Sequence, residues 1–273
     1  MRDILAHASN HAAPTRSMRY AAETAKIFDA SLTGIFVSEP IMPLSPLDIP
    51  LVPEIYGAAG QITGEAMAYE PKFHQWASAA GVMRHKWRVA SAFFTAALAS
   101  AANWHDVLVL ESGGNAPWAS VPMLGHALVT CGVPCFVVPE SYARPAAFDS
   151  IVIASHGSPE SIRAAHAALP LLKRAKRILL IQGKQDDAFS TVDFRPAFSL
   201  QGHLQRHGLQ FTTQTLDESG EHVGAKILAA SEAADADVLV MGAYGRTRFS
   251  EWILGGATRH VLDKARLPVF MRH

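Results

Sequence analysis

Apolar residues recur along this chain in short runs, separated by longer stretches with helical periodicity. In the second half the runs predict strands near 150–155, 177–182, 209–215, 237–241 and 268–272, and the stretches between them predict helices near 158–173, 194–207, 220–234 and 250–264. Strands that are apolar on both faces and alternate with helices are typical of a parallel sheet covered on both sides. Right-handed crossovers then give a doubly wound sandwich, in which ligands bind beyond the carboxyl ends of the strands.

The chain repeats this plan in its first half. The opening strand Asp3–Ala8 corresponds to Ser150–Ser155, and Asp106–Leu110 is nearly identical to Asp237–Met241. Self-similarity of this kind indicates two copies of one structural unit. An Ala-rich stretch at 14–29 predicts the first helix of the first copy.

Proline positions mark where the copies separate. Two prolines in the segment 139–149 predict a linker, so we place one domain at 1–140 and another at 148–273. The predicted fold class is α/β, with two tandem doubly wound (Rossmann-like) parallel five-stranded sheets that carry helices on both faces. The Pro-rich segment 40–53 predicts either an apolar loop over its own domain or a docking surface for a second subunit.

Composition narrows the classes of function. Because 24 basic residues balance 24 acidic ones, no overall field favours nucleic acid or an anionic membrane. Cys131 and Cys135 are too few for a disulfide framework and are expected to be small buried groups in a reducing cytosol. No apolar run reaches the ~20 residues that span a bilayer. We therefore expect a cytoplasmic protein.

A glycine-rich loop follows the predicted strand that ends at Met241. The loop and the start of the next helix contain Gly242, Gly245, Arg246, Gly255, Gly256, Ala257 and Thr258. Glycines let backbone N–H groups approach an anionic ligand, and a strand–loop–helix turn directs several of these groups at a phosphate. Arg246 adds positive charge and Thr258 adds a hydroxyl. The glycines could also serve only to turn the chain and to let a helix approach the sheet.

The spacing Gly-x2-Gly-x9-Gly in this loop resembles the universal stress protein family, and the resemblance covers the whole second half. The first half resembles the family in topology and in its DVLV strand, but not in the loop. The resemblance implies that the three glycines contact the phosphates and ribose of ATP, or of another adenine nucleotide, with Mg left open. It also implies an adenine site at the ends of neighbouring strands, formed by Ala154, Ser155, His156, Ile181 and Met241.

Two residues depart from the family pattern. Gly256 stands where a Ser or Thr usually follows the third glycine, and His156 replaces the Asp at the end of the first strand. A neutral imidazole can still donate to or accept from an adenine edge. The departures leave open a second interpretation, in which the site has changed to another ligand or to none.

The first half lacks the family's loop. Glu111 stands where Gly242 stands in the second copy and would repel phosphate, and the opening strand leads to Ser9 rather than Asp. We expect this half to serve as a pseudo-domain that completes an intramolecular dimer. Pairing of two chains into a homodimer stays open.

Other candidate residues carry less specific patterns. His203 and His207 lie at i, i+4 on a predicted helix, a spacing that permits one metal ion, but no acidic residue nearby completes the set, and we expect no metal site. His260 could reach a ligand or lie on the surface. Without a G-x-S-x-G elbow, the pair Ser155 and His156 does not predict a serine hydrolase.

The favoured function is an adenine-nucleotide-binding stress-response or regulatory protein without a dedicated catalytic apparatus, in which any ATP hydrolysis is slow. The nucleotide would act as a conformational ligand that changes the surface offered to an unknown protein partner. Two alternatives stay open. One is an interaction module of the same fold that binds no nucleotide, and the other is an enzyme of the wider adenine nucleotide α-hydrolase-like group.

Overall fold

A computed structural model describes residues 1–40, 52–114, 116–183, 198–216, 222–243 and 255–273, with side chains of the helix that begins at Val52 described from residue 59 onward. The Pro-rich segment, apart from its ends, and the loop positions Gly245 and Arg246 lie outside these ranges. Among the helices of the described ranges, none has the length and apolar character needed to cross a bilayer.

The first half contains five strands and five helices in its described residues. They are β1 (Asp3–His7), α1 (Arg16–Phe28), β2 (Ser31–Ser38), α2 (Val52–Ala68), α3 (Glu70–Ala79), β3 (Arg84–Ser91), α4 (Phe94–Ala102), β4 (Val107–Ser112), α5 (Val121–Thr130) and β5 (Cys135–Pro139). Helix α1 buries its small residues against the sheet and ends at Asp29 in the left-handed conformation (φ 47°). It covers most of the predicted stretch 14–29.

The second half repeats this order. Its elements are β6 (Ser150–Ser155), α6 (Pro159–Ala167), α7 (Leu169–Leu172), β7 (Arg177–Gly183), α8 (Leu200–Arg206), β8 (Thr212–Leu216), α9 (His222–Ala233), β9 (Val238–Gly242), α10 (Gly256–Lys264) and β10 (Val269–Arg272). The predicted helix at 158–173 divides in two, because Ala168 caps one helix and Pro170 begins the next. The five predicted strands are all present.

Ten strands form one continuous sheet, in the order β3-β2-β1-β4-β5-β10-β9-β6-β7-β8. Each half contributes five parallel strands with the doubly wound order predicted from the sequence. The halves join through β5 and β10, which are antiparallel, so the two copies are related by an approximate two-fold axis. The sequence had not indicated this edge-to-edge joint.

Aromatic rings fill the joint between the halves. Phe136 on β5 and Phe270 on β10 lie directly opposite one another with ring centroids 4.9 Å apart, and both are fully buried. Tyr20 on α1 packs against Phe136 at 5.4 Å. Burial of each ring contributes about 1.5–3 kcal/mol, so the halves share one hydrophobic core.

One aspartate fixes the start of each half through the same backbone contact, which we call the aspartate staple. The carboxylate of Asp237, just before β9, accepts hydrogen bonds from the backbone nitrogens of Asp149 and Ser150, both at 2.9 Å. The carboxylate of Asp106, just before β4, accepts the equivalent bonds from the first residues of the chain. Each aspartate thereby holds the beginning of the central strand of its own half.

The linker between the halves is fixed to both. Arg144 donates to Asp235 and to Asp237, both at 2.8 Å. On the other side, the backbone nitrogen of Ala146 donates to the carboxylate of Glu23 on α1. The linker therefore connects α1 of the first half to the aspartate staple of the second.

Candidate functional site

The strand order of the second half reverses between β6 and β9, and a doubly wound sheet binds ligands at this point. Gly242 ends β9 there and touches the beginning of α6. A Cβ atom on Gly242 would lie 2.5 Å from the backbone nitrogen of Ser161 and 2.8 Å from the carbonyl carbon of Glu160. The absence of a side chain is therefore required for the strand to approach the helix, whatever else binds nearby.

Serine side chains fix the loop between β6 and α6. Ser158 is the N-cap of α6 and accepts a hydrogen bond from the backbone nitrogen of Ser161. The hydroxyl of Ser155 lies 2.9 Å from that of Ser161 and accepts from the backbone nitrogen of Gly157. Gly157 has φ of +84°, a conformation that favours glycine. These contacts leave His156, which is exposed, projecting from a fixed loop.

A cavity of about 300 Å³ opens beside this loop, at the carboxyl ends of β6 and β7. Its polar lining includes His156, His166, Gln182, Ser199, His203 and Arg206. A cavity of this size is at the lower end of the range for small-molecule sites. It accommodates a group about as large as a nucleobase, with imidazole, amide and guanidinium groups available for hydrogen bonding.

Two histidines, His166 on α6 and His203 on α8, line one side of this cavity, and His207 packs behind them. The rings of His166 and His203 stack with centroids 4.0 Å apart, and the ring of His207 lies 4.6 Å from that of His203. Burial lowers the pKa of His203, and the neighbouring His166, His207 and Arg206 lower it further. The Nε2 atom of His203 is buried without a hydrogen-bond partner in the described residues. Burial and these neighbours therefore favour the neutral form of the His203 ring.

Metal coordination by these histidines finds no support in the geometry. Within the described ranges, no group of three or more His, Cys, Asp and Glu side chains is arranged to hold a metal ion. His203 lies in α8 and His207 is the C-cap residue of that helix, but the ring that stacks on His203 is His166. Both cysteines are free and buried, and burial raises the pKa of the Cys131 thiol to about 11.

The residues proposed for the adenine site meet in the sheet. Ala154 on β6 pairs in register with Ile181 on one side and with Met241 on the other. All three are nearly fully buried, at 1% exposure for Ile181 and 6% for the other two. The β7 residues that line the cavity are instead Gln182 and Gly183, directly after Ile181. Sequence reasoning missed them, although the end of a parallel strand is where a ligand-facing polar residue is expected.

Four of the residues proposed for the phosphate site, Gly255 to Thr258, form the beginning of α10. Gly255 is its N-cap, and both Gly255 and Gly256 are exposed. In the part of the chain that the structure describes, no side chain caps this helix, and its first turn carries no acidic residue. Ala257 is half-buried and Thr258 is 6% exposed, so the Thr258 hydroxyl lies inside the fold. His260 packs against α9, where a Cβ atom on Gly224 would lie 2.8 Å from the His260 Cβ.

The corresponding place in the first half is occupied by a carboxylate. Strand registers make Val109 equivalent to Val240, which places Glu111 at the position of Gly242. Glu111 accepts hydrogen bonds from the hydroxyl of Ser9 at 3.1 Å and from the backbone nitrogen of Ser17 at 3.0 Å. This side chain therefore satisfies the first turn of α1, where a bound anion would otherwise lie.

Comparison with known proteins agrees with the two-copy architecture. A family model described as the universal stress protein family matches residues 147–273. A universal stress protein from Archaeoglobus fulgidus DSM 4304 is similar over 99% of this chain and 97% of its own, with 18% identity and a TM-score of 0.65. A functionally unknown protein from Pseudomonas aeruginosa PAO1 is similar over 99% and 92%, with 16% identity and a TM-score of 0.62. No curated protein is a significant match. At these identities the structural matches establish the fold alone.

Proposed function

The second half of this chain, residues 147–273, belongs to the universal stress protein family, and we propose that this half binds an adenine nucleotide and acts as a regulatory ligand-binding domain. The observation that carries the proposal is the cavity at the ends of β6 and β7. Its lining includes Ser155 and His156, two of the residues that the family resemblance assigns to the adenine site.

The base end of the site offers hydrogen-bonding groups in place of the family's aspartate. His156 and Gln182 both line the cavity. An imidazole nitrogen and a side-chain amide each supply a donor or an acceptor, which suits the mixed edge of a purine. His156 thereby takes the position of the missing carboxylate with different chemistry.

The phosphate end is supported by the open beginning of α10. Unpaired N–H groups and the helix dipole favour an anion at such a terminus. The exposed Gly255 and Gly256 allow close approach of phosphate oxygens, and no side-chain acceptor among the described residues competes for the first-turn N–H groups. The equivalent region of the first half carries Glu111, so we place one nucleotide in each chain.

The bound nucleotide serves as a conformational ligand. Its proposed contacts come from the ends of β6, β7 and β9, which are neighbours in the sheet, and from the start of α10. A ligand that contacts all of them stabilises one arrangement of the connecting segments, and a partner protein can recognise that arrangement. A Mg ion bound with the nucleotide would neutralise phosphate charge.

The test uses two substitutions at Gly255, where an added Cβ atom meets no atom within 4 Å. Asp and Asn are equally good N-cap residues, so Gly255→Asp and Gly255→Asn should preserve or slightly raise stability. They differ in charge alone. Mass spectrometry would identify nucleotide released from the purified protein, and calorimetric titration would measure the affinity of each variant for ATP.

We expect wild type and Gly255→Asn to bind ATP, and Gly255→Asp to bind about tenfold more weakly or worse because its carboxylate repels the phosphates. Equal binding by the two variants would contradict a phosphate site at α10. If wild type releases no nucleotide and binds none, the second interpretation is favoured, in which the fold acts as an interaction module.

A further inference from the structure

A groove of about 1000 Å³ lies on the opposite end of the molecule, in the first half. Its floor is the outer part of the sheet, with Thr33 and Ile35 of β2 beside Lys86 and Arg88 of β3, and its wall is α4. The α4 side is lined by alanines, because the helix sequence is rich in small residues. We call this surface the β3 groove.

The β3 groove is cationic. Alternate residues of a strand point to the same face, so Arg84, Lys86 and Arg88 all face the groove, and all three are exposed. Arg84 is paired with Asp29 at 3.1 Å. Asp3 is the acidic side chain in the described lining of the groove. Positive charge on Lys86 and Arg88 therefore exceeds the negative charge around it.

The second half provides an internal comparison. It carries the same groove, of about 580 Å³, between β7, β8 and α9. The strand registers make Lys86 equivalent to Thr212 and Arg88 equivalent to Gln214. Since the second copy forms this groove with uncharged residues at these two strand positions, Lys86 and Arg88 are not needed to build it.

The strand that carries these cations is also a free edge. β3 is the first strand of the sheet order and, within the described residues, pairs with β2 alone. It is held rigidly from behind, because the indole of Trp87 is buried and donates to the carbonyl oxygen of Ala66 at 2.8 Å. A rigid strand with unpaired N–H and C=O groups is a template on which an extended peptide adds as a further strand.

We propose that the β3 groove binds an extended acidic polypeptide segment of a partner protein, which adds to the edge of β3. Carboxylates at alternate positions of the added strand would lie beside Lys86 and Arg88, because neighbouring strands place same-face side chains in contact. The groove belongs to the first half, so this interaction does not depend on nucleotide binding in the second.

Trp104 supplies a reporter at the far wall of the β3 groove. Its side chain lines the groove and is 82% exposed. The indole N–H resonance of Trp104, assigned by its loss in Trp104→Phe, should shift when a peptide occupies the groove. The shift would place the binding site as well as measure the affinity.

The experiment titrates full-length protein with a peptide as long as β3 that alternates glutamate with threonine, and with a matched peptide in which glutamine replaces glutamate. The test variant is the double substitution Lys86→Thr and Arg88→Gln, which copies the second half. The control variant is Lys173→Thr and Arg177→Gln, which removes two exposed charges elsewhere. A single-stranded oligonucleotide of equal charge is titrated in parallel.

We expect the glutamate peptide to bind wild type and the control alike, to shift the Trp104 resonance, and to bind the test variant about tenfold more weakly. Binding should also weaken as salt rises. Equal affinity for the glutamine peptide, or unchanged affinity in the test variant, would overturn the proposal, as would binding of the oligonucleotide in preference to the peptide. If the test variant self-associates while peptide binding is unchanged, the two cations serve only to keep the edge unpaired, and the proposal is wrong.

Discussion

The carboxylate of Glu111 lies 3.0 Å from the backbone nitrogen of Ser17, so the end of β4 satisfies the first turn of α1 from within the protein. The equivalent relationship in the second half is reversed. Gly242 has no side chain, and the carboxylate near the helix belongs to Glu160 on α6, which is 6% exposed. At the same strand–helix contact, the first copy thus carries its acidic group on the strand, and the second copy carries it on the helix.

The first prediction concerns Glu111→Gln. The carboxylate accepts two hydrogen bonds at a buried position, and the amide that replaces it has one oxygen to accept them and an N–H₂ group that faces another donor. We expect unfolding free energy to fall by about 1–3 kcal/mol, measured by denaturant titration. The control is Glu232→Gln on an exposed face of α9. If Glu111→Gln loses no more unfolding free energy than Glu232→Gln, then α1 does not depend on this carboxylate.

The sequence predicted much of this architecture and part of this contact. Apolar runs located all five strands of the second half, since buried parallel strands are apolar on both faces. Comparison of the DVLV strands also aligned Glu111 with Gly242. The hydrogen bond to Ser17 could not be predicted, because it joins residues 94 positions apart and depends on how α1 approaches β4.

The joint between the halves shows a different limit of prediction. Phe136 and Phe270 each lie in a Pro-led apolar strand, and both sequences predict a buried strand equally well. Neither sequence pattern indicates whether its strand lies at the edge of a sheet or pairs with a strand of the other half. The linker length and the rings that fill the joint decide this in three dimensions.

The candidate site was predicted least completely on the side of α8. The spacing of His203 and His207 permits a metal ion, although no metal site was expected, whereas His166, which stacks on His203, lies on another helix. A helical repeat within one segment cannot indicate a partner from a second segment. Gln182 and Gly183, which line the cavity, were not predicted because the family resemblance assigns Ile181, the apolar residue before them, to the adenine site.

The second prediction compares the two aspartate staples. Asp237 is 4% exposed, accepts two backbone hydrogen bonds and pairs with Arg144. Asp106 makes the equivalent backbone bonds at an exposed position. We expect Asp237→Asn to lower the unfolding free energy by about 2–4 kcal/mol and Asp106→Asn by about 1 kcal/mol, because loss of a buried charged acceptor leaves its partners unpaired.

Chemical denaturation of both variants under the same conditions measures this difference. Arg144→Gln separates the salt bridge from the backbone bonds, since it leaves both backbone donors of Asp237 in place. We expect Arg144→Gln to lose less unfolding free energy than Asp237→Asn. If Asp237→Asn and Asp106→Asn lose equal unfolding free energy, then burial and the contact with Arg144 do not strengthen the aspartate staple of the second half.

The third prediction concerns pH and His7, at the end of β1. The ring is 2% exposed and packs against Phe94 at 4.9 Å and Trp118 at 5.9 Å. Burial lowers its pKa from 6.5 to about 3. In the unfolded chain the same imidazole takes up a proton below its ordinary pKa, so the unfolded state binds more protons than the folded state in the window between these values.

Stability should therefore fall as pH decreases from about 6.5 towards 3, with a contribution from His7 of roughly 5 kcal/mol across the full window. The variant His7→Leu, which cannot titrate, should lose that part of the pH dependence, whereas His222→Leu at an exposed position should keep it. Denaturant midpoints measured at several pH values would give the dependence of stability on pH for wild type and for each of the two variants. Parallel curves for wild type and His7→Leu would contradict the prediction, because a buried neutral His7 requires the stability of wild type to fall more steeply than that of His7→Leu as the pH decreases.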